Sequence, residues 1–430
     1  MTIAAGGDNV RNKKFSIYAV SAIAASIALL AVSLSVVPAL TTNFLSQSEE
    51  EKRVVAFEQR YDYGLGQLVW TAGNLKLGDV KPDSSVMILN PFSADMENFM
   101  RGNIAGAGAS KIQEFWAKTE PYSLYNLVRL PAWLGGQKDD ISSFRAYSAV
   151  AISSGCLIKY FGGGDRWDIE DPCHSDRYRP WDGLATVGAA AVGMTSPSVP
   201  SNAEPLALAT LDLSVDKDGY IVAKKPDLYA NGTPAQGRRL SQDDLLRSNA
   251  EMVTATSEAV GYDLPFPAST SDRDLLATIT PAQVSSNVRV TGDLRAFSAL
   301  YVDNYSSSML LGRRMVEITV YPVGSYPVLA LAAGGKEEID NAAATSSSSS
   351  QAKDLNVKNG PGIAGSRYAV LTIMPNEGSN SRGIAAAKLW GKGADGTDLY
   401  VTITTTTSGG EGMNMDELTH LAASLGLHPD

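Results

Sequence analysis

The residues most able to do chemistry are two cysteines with a histidine beside one of them. Cys156 and Cys173 are the only cysteines of the chain, and His174 is one of three histidines. Thiolates and imidazoles bind soft and borderline metals, whereas paired thiols in an oxidising compartment form a disulfide. Metal binding by Cys156, Cys173 and His174 would need free thiolates and a further ligand. The other histidines, His420 and His428, lie near the C-terminus.

Asp171 and His174 offer a second metal hypothesis, because a carboxylate and an imidazole are acceptable ligand types. Two ligands fall short of a site, so these residues remain candidates without a complete ligand set. The alternative is that His174 is an ordinary polar residue on a loop.

Other reactive groups lack the partners that catalysis or phosphate binding requires. Gly162–Gly164 has no strand, Lys and helix in the order of a phosphate loop, and Asp139-Asp140 is typical of solvated loop charges. Serine-rich segments have no His–Asp partnership. The net charge is −10 without a cluster of Lys and Arg, which argues against a nucleic-acid partner.

A charge-free segment near the N-terminus predicts membrane attachment. No charged residue occurs from Phe15 to Ser48, with Lys13 and Lys14 before it and Glu49 after it. About 20 apolar residues in a helix cross the hydrocarbon core of a bilayer. The charge bias predicts a single-pass anchor with a cytoplasmic N-terminus and the bulk of the chain outside the cytoplasm. The alternative is a cleaved signal peptide.

An extracytoplasmic location would favour a disulfide between the two cysteines. Thiols oxidise outside the cytoplasm, and an exported chain with two cysteines commonly pairs them. Closing a loop of this size would contribute roughly 3 kcal/mol to the free energy of unfolding. We therefore expect a Cys156–Cys173 disulfide.

The surroundings of the cysteines resemble the Rieske iron–sulfur family over roughly residues 140–225. That family has a first box Cys-x-His-x-Gly-Cys and a second box Cys-Pro-Cys-His-x-Ser, followed by an aromatic residue, a turn glycine and a closing strand. The matching features here are Gly155-Cys156, Pro172-Cys173-His174, Tyr178, Gly183 and Asp218-Gly219.

The departures from the family pattern bear on function. The resemblance places the four ligands of a [2Fe–2S] cluster at Ala151, Ser153, Asp171 and His174, and only His174 keeps a ligand of the family. In Rieske subunits of quinol-oxidising complexes, the remaining two cysteines form a disulfide, which the resemblance places at Cys156 and Cys173. The resemblance thus implies a kept disulfide, no cofactor and no catalytic residue.

The expected fold class is α+β, mainly β. We expect an anchor over 1–46, a stalk and Rieske-like region over 47–225 (core 140–225), a linker and helix over 226–262, and a β-rich C-terminal domain over 263–430. The stalk, over 47–59, is charged and helix-compatible.

Helical spacing of apolar residues predicts a helix over 243–260, and Asn414 with Glu417 predicts an N-capped helix over 415–425. Segments 315–321, 368–374 and 399–404 are rich in β-branched and aromatic residues, which predicts strands.

The functional expectation is a non-redox, membrane-anchored, Rieske-like subunit of a respiratory electron-transport complex. Its expected partners are the lipid bilayer and cytochrome b-like or oxidase subunits. One alternative is an exported surface or binding protein that reuses the fold. Another is an active [2Fe–2S] electron-transfer subunit.

Overall fold

The computed structural model describes residues 50–62, 67–92, 124–163, 167–192, 206–225, 237–270, 274–282, 296–303, 314–322, 350–353, 368–374, 382–408 and 413–427. Strands dominate these residues. In the N-terminal half they are β1 Glu51–Arg53, β2 Val55–Asp62, β3 Gln67–Asn74, β4 Ser84–Leu89, β5 Leu124–Arg129, β6 Phe144–Ser148, β7 Lys159–Phe161, β8 Asp168–Glu170, β9 Arg177–Tyr178, β10 Ala185–Val187, β11 Leu206–Ala207, β12 Thr210–Leu211, β13 Leu213–Val215, β14 Ile221–Lys224 and β15 Arg238–Arg239. In the C-terminal half they are β16 Asp274–Pro281, β17 Phe297–Asp303, β18 Arg314–Pro322, β19 Ser350–Lys353, β20 Tyr368–Met374, β21 Arg382–Lys392 and β22 Asp398–Ser408.

The described strands form five antiparallel sheets. The largest are a six-stranded sheet in the order β12-β6-β5-β4-β2-β3 and a seven-stranded sheet in the order β16-β17-β18-β22-β21-β20-β19. A four-stranded sheet, β10-β9-β8-β7, carries the cysteine region. The smaller sheets are β1-β14-β13 and β11-β15.

Alternation of side chains sets the register of the seven-stranded sheet. On β18, Val316, Ile318 and Val320 are buried, whereas Met315 and Glu317 are exposed. Because successive side chains of a strand point to opposite faces, a slip of one residue would expose this apolar row. The three predicted strands are observed as β18, β20 and β22, so these predictions are confirmed.

Two α-helices are present among the described residues, α1 at Gln242–Val260 and α2 at Met415–Ser424. Ser241 caps α1 by accepting from the amide of Asp244, and Gly261 ends it at φ 81°. Asn414 and Glu417 form the predicted capping box of α2. Both helix predictions are confirmed, and both helices contribute apolar side chains to the core of the seven-stranded sheet.

The predicted helical stalk is wrong. Glu51–Arg53 and Val55–Asp62 are strands, and β1 pairs with β14. Val54 and Val55 are buried in the core of the N-terminal half, and β-branched side chains there favour pairing with neighbouring strands over an exposed helix.

The predicted fold with an N-terminal transmembrane helix is corrected by this mainly β architecture. No helix among the described residues is long and apolar enough to cross a bilayer. α1 carries charged residues such as Asp243, Arg247 and Glu251 on its exposed face, so it is amphipathic. Residues 1–46, the predicted cytoplasmic tip and anchor, lie outside the described residues. The predicted single-pass membrane localisation is corrected with it.

Candidate functional site

Three loops in the cysteine region share one backbone geometry, and the β7–β8 hairpin lies between the first two. In each loop, the amide of the first residue donates to the carbonyl of the sixth, and the amide of the fifth donates to the carbonyl of the first. The fifth residue is left-handed in every loop. The loops are loop A (Ala151–Cys156), loop B (Asp171–Asp176) and loop C (Arg179–Leu184), with Gly155, Ser175 and Gly183 at φ 72°, 59° and 73°.

A disulfide joins loop A to loop B. Cys156 and Cys173 are bonded with their Cα atoms 6.4 Å apart, so the predicted disulfide is confirmed. The intervening β7–β8 hairpin closes the covalent ring. Cys173 is exposed and Cys156 is half-buried, so the bond lies at the surface end of both loops.

The four positions that the sequence resemblance assigns to cluster ligands lie in different environments. Ala151 is buried in the small apolar core that also contains Ile152 and Tyr178. Ser153, on the same loop, donates its hydroxyl hydrogen to the carboxylate of Asp176. On loop B, Asp171 is buried and His174 is largely exposed. The structure thus brings Asp171 and His174 together, with the His174 Nδ1 3.8 Å from the Asp171 Oδ2.

Asp176 is a buried carboxylate of this site that the sequence analysis missed. Burial raises its pKa, and the nearby Asp171 charge acts in the same direction. The Ser153 hydroxyl and the Ala189 amide, which donates to Oδ1 at 2.7 Å, oppose the shift but leave the pKa raised. The available signal was its position, since Asp176 replaces the serine that ends the second box of the resembling family.

Tyr178 connects loop A to Asp176. Its hydroxyl accepts from the Ile152 amide at 3.2 Å and donates to the Asp176 Oδ2 at 3.4 Å. Burial is the main reason that the Tyr178 pKa is raised far above its usual value. The hydroxyl is therefore a neutral hydrogen-bonding group at physiological pH.

Asp171 has two carboxylate oxygens in unlike surroundings. Oδ1 accepts from the Cys173 amide at 2.8 Å and so orders loop B. Oδ2 is buried and has no hydrogen-bond partner among the described residues. An unpaired buried carboxylate oxygen is costly, so Oδ2 is the group of this site that most lacks a partner.

The donor set does not fit a [2Fe–2S] cluster. A Rieske cluster requires two thiolates and two imidazoles. Ala151 has no donor atom, Ser153 is engaged by Asp176, and Asp171 supplies a hard oxygen where a soft sulfur is needed. His174 is the one remaining ligand of the family type.

Loop C is held by a buried ion pair that the sequence analysis also missed. The Arg179 Nε and Nη2 donate to the Asp182 carboxylate at 2.7 and 2.6 Å. Arg179 Nη1 donates to the Asn249 Oδ1 at 2.7 Å and to the carbonyl of Leu276. Because Asn249 lies on α1 and Leu276 on β16, this side chain links loop C to the C-terminal half.

Asp83 binds the β7–β8 hairpin through two hydrogen bonds. Its carboxylate accepts from the Tyr160 hydroxyl at 2.7 Å and from the Trp167 Nε1 at 3.3 Å. Burial raises the Asp83 pKa, although both hydrogen bonds act in the opposite direction. A Cβ at Gly162 would lie 2.4 Å from the Asp83 carbonyl oxygen, so the close approach of these two segments requires glycine there. Gly164 lies outside the described residues.

A groove of about 630 Å³ opens beside loop C. Arg145 stacks on Trp181 at 4.8 Å from the ring centroid and donates to the Trp181 carbonyl. Arg238, which also lines the groove, donates to the Asp182 carbonyl at 2.7 Å, and its Nε is buried without a hydrogen-bond partner in the described part of the chain. The groove is therefore lined by one aromatic side chain, Trp181, and by arginine side chains.

Comparison with known proteins gives no close relative. No protein-family model matches the chain, and no curated protein is similar to it. The inhibitor complex of the quaternary ammonium Rieske monooxygenase CntA is similar at 12% identity over 70% of this chain and 69% of that chain, with a TM-score of 0.17. The apo form of CntA is similar at 12% identity over 70% of this chain and 65% of that chain, with a TM-score of 0.17.

A TM-score of 0.17 carries no argument about fold or activity. The likeness to a Rieske enzyme is a weak structural similarity, and the activity of CntA is not transferred to this chain.

Proposed function

We propose that the chain is a non-redox protein built on a Rieske-like module, which acts as a structural or accessory subunit of a respiratory quinol-oxidising complex. In this role the module binds neighbouring subunits, of the cytochrome b-like or oxidase type, and does not carry electrons itself. The motif resemblance supports the choice of complex, and the donor set of loops A and B supports the absence of a redox role.

The proposed absence of a redox role rests on what the side chains at the cluster-ligand positions contact. The Ala151 methyl is part of the apolar core, and the Ser153 hydroxyl is committed to Asp176. Both cysteines are consumed by the disulfide. A cluster would require all of these groups to be replaced or rearranged, so we expect a colourless protein without a [2Fe–2S] cofactor.

Iron and acid-labile sulfide analysis of the purified chain tests this half of the proposal, together with electron paramagnetic resonance after dithionite reduction. We expect both elements at background level and no signal. About two irons and two sulfides per chain, the content of a Rieske cluster, would show that the chain is an electron carrier.

A restored variant calibrates the assay. Ala151→Cys, Ser153→His and Asp171→Cys together return the family's ligand types to the positions beside His174. Reconstitution of both chains with iron and sulfide should colour the restored variant alone. Equal cluster uptake by the unmodified chain would contradict the donor-set reasoning.

Co-purification tests the subunit half of the proposal. Affinity-tagged chain from its native cells should recover haem-containing subunits at a fixed ratio. Recovery of the chain without haem proteins would instead favour the second candidate, a binding protein that reuses the fold. The groove beside loop C supports that candidate, because it combines an aromatic side chain, Trp181, with arginine side chains such as Arg145 and Arg238.

A further inference from the structure

The disulfide lies directly against the buried carboxylate of loop B. The Sγ atoms of Cys156 and Cys173 and a carboxylate oxygen of Asp171 all lie within 4.8 Å of one another. The His174 Nδ1 is 3.8 Å from the Asp171 Oδ2. Two sulfurs and one carboxylate therefore meet at the junction of loops A and B, and the His174 imidazole lies next to the carboxylate.

Asp171 supplies an independent sign that a ligand belongs at this junction. Its side chain is fully buried, and its Oδ2 has no hydrogen-bond partner within the described residues. Its Oδ1 is fixed by the Cys173 amide at 2.8 Å, so the carboxylate is held beside the disulfide in one orientation. A buried oxygen held in this way costs free energy unless a cation or donor meets it.

We propose that the Cys156–Cys173 disulfide covers a zinc site that opens on reduction. In the reduced chain, the thiolates of Cys156 and Cys173, the carboxylate of Asp171 and the imidazole of His174 bind one Zn²⁺. The four donors are of the types that zinc takes in structural sites, where tetrahedral coordination by sulfur, nitrogen and oxygen is usual. The disulfide form does not bind the ion, because disulfide sulfurs lack the charge of thiolates.

The distances suit this exchange. Zinc-to-ligand bonds of about 2.0–2.3 Å place the donors of one tetrahedral ion roughly 3.3–3.8 Å apart. The sulfurs and the carboxylate oxygen lie 4.8 Å or less from one another, so on reduction the sulfurs separate within that space and the His174 imidazole turns from Asp171 towards them. Cys173 is exposed, so a reductant can reach the bond.

The reaction balances with a dithiol as the reductant. Thiol–disulfide exchange transfers two electrons and two protons to the chain, which forms two thiols while the dithiol becomes a cyclic disulfide. Zn²⁺ then displaces both thiol protons and binds the two thiolates. The net products are the zinc-loaded chain, the oxidised dithiol and two protons.

The test measures zinc binding to the full chain in both redox states. The chain is reduced with a dithiol, freed of it by anaerobic gel filtration, and titrated with Zn²⁺ against a chromophoric chelator. We expect about one zinc per reduced chain and none per oxidised chain. Co²⁺ in place of Zn²⁺ should give the intense visible bands of a tetrahedral thiolate site, with thiolate-to-metal absorption in the near ultraviolet.

Variants distinguish zinc binding by all four proposed ligands from zinc binding by the two thiols alone. Asp171→Asn and His174→Ala should each weaken zinc binding by the reduced chain at least roughly 10-fold, whereas His420→Ala, an exposed histidine on α2, should leave it unchanged. Zinc should also raise the melting temperature of the reduced chain and not that of the oxidised chain.

Two results would overturn the proposal. One is a reduced chain that binds no zinc, whether it stays folded or unfolds, as judged by circular dichroism. The other is zinc binding that survives the combined Asp171→Asn and His174→Ala change, because the two thiols alone would then explain it. Iron content plays no part in either readout, so failure here is distinct from failure of the proposed non-redox role.

Discussion

Removal of the Arg179 guanidinium should destabilise the protein through the charge that it leaves behind. The Arg179 side chain is 1% exposed and the Asp182 side chain 10% exposed. In Arg179→Leu, Asp182 keeps hydrogen bonds from the Ser248 hydroxyl and the Leu184 amide but loses both of those from Arg179. Asn249 also loses its donor.

Breaking a buried ion pair by removing one partner costs about 3–5 kcal/mol, and the loss of contacts to α1 and β16 places Arg179→Leu within this range. Urea unfolding followed by tryptophan fluorescence measures the change, since Trp181 adjoins Asp182 in the chain. Arg247→Leu is the matched control on α1. Its ion pair with Asp244 has both side chains well exposed, at 65% and 43%, so we expect little change in the midpoint.

A double-mutant cycle tests the reasoning by a change of sign. In the wild type, Asp182→Asn removes a paired charge and should lower the free energy of unfolding. In the Arg179→Leu background, the same substitution removes an unpaired buried charge and should raise it. Additive effects of the two substitutions would refute the assignment of the cost to the orphaned carboxylate.

The pH dependence should change sign in the same way. Burial acts to raise the Asp182 pKa, but the Arg179 charge and the hydrogen bonds outweigh it and lower the pKa below its usual range. A lowered folded-state pKa gives stability that is present above about pH 4 and lost as the pH falls through the folded pKa. Without Arg179 burial dominates, so Arg179→Leu should gain stability relative to wild type as the pH falls from neutral towards the unfolded-state pKa.

Three further predictions concern loops A and B and the hairpin between them. Cys156→Ser with Cys173→Ser should lower the free energy of unfolding by roughly 3 kcal/mol, because a ring with a sequence separation of 17 is opened in the unfolded state. Ser175→Gly should raise it by up to about 1 kcal/mol, since Ser175 is left-handed at φ 59°, and Gly155→Ser should lower it by a similar amount. Burial raises the Asp83 pKa, so the folded state binds a proton at a higher pH than the unfolded state does. The stability of the wild type relative to Asp83→Asn should therefore rise as the pH falls through that pKa.

A specific result would contradict each of these three predictions. Equal unfolding midpoints for the wild type and the cysteine double variant, measured without reductant, would mean that the ring does not restrain the unfolded chain. A destabilised Ser175→Gly would show that the serine side chain outweighs the strain of its backbone. A pH-independent difference between the wild type and Asp83→Asn would remove Asp83 as a titrating group. Asparagine tolerates the left-handed backbone of this position, at φ 60°, so the last comparison isolates the charge.

Elements with local causes could be predicted from the sequence alone. The bounds of β20 agree with the prediction because richness in β-branched and aromatic residues is a property of the segment itself. The start of α2 agrees because Asn414 and Glu417 satisfy the first amides of the helix from within three residues. The disulfide could be predicted because the chain has only two cysteines, and both lie in segments that resemble the two cluster-binding loops of the Rieske family.

The tertiary structure decided whatever depends on distant partners. The segment from Glu51 is charged enough to read as a helical stalk, yet its pairing with β14 makes it a strand. In the sequence, Asp176 is not distinguished from other charged loop residues, whereas in the folded chain it is buried and accepts a hydrogen bond from Ser153. Arg179 showed no periodic signal, because its partner Asn249 comes from α1, 70 residues away in the chain. Periodicity and capping act within a few residues, whereas desolvation and ion pairing depend on which segments the fold brings together, and only the folded chain specifies that.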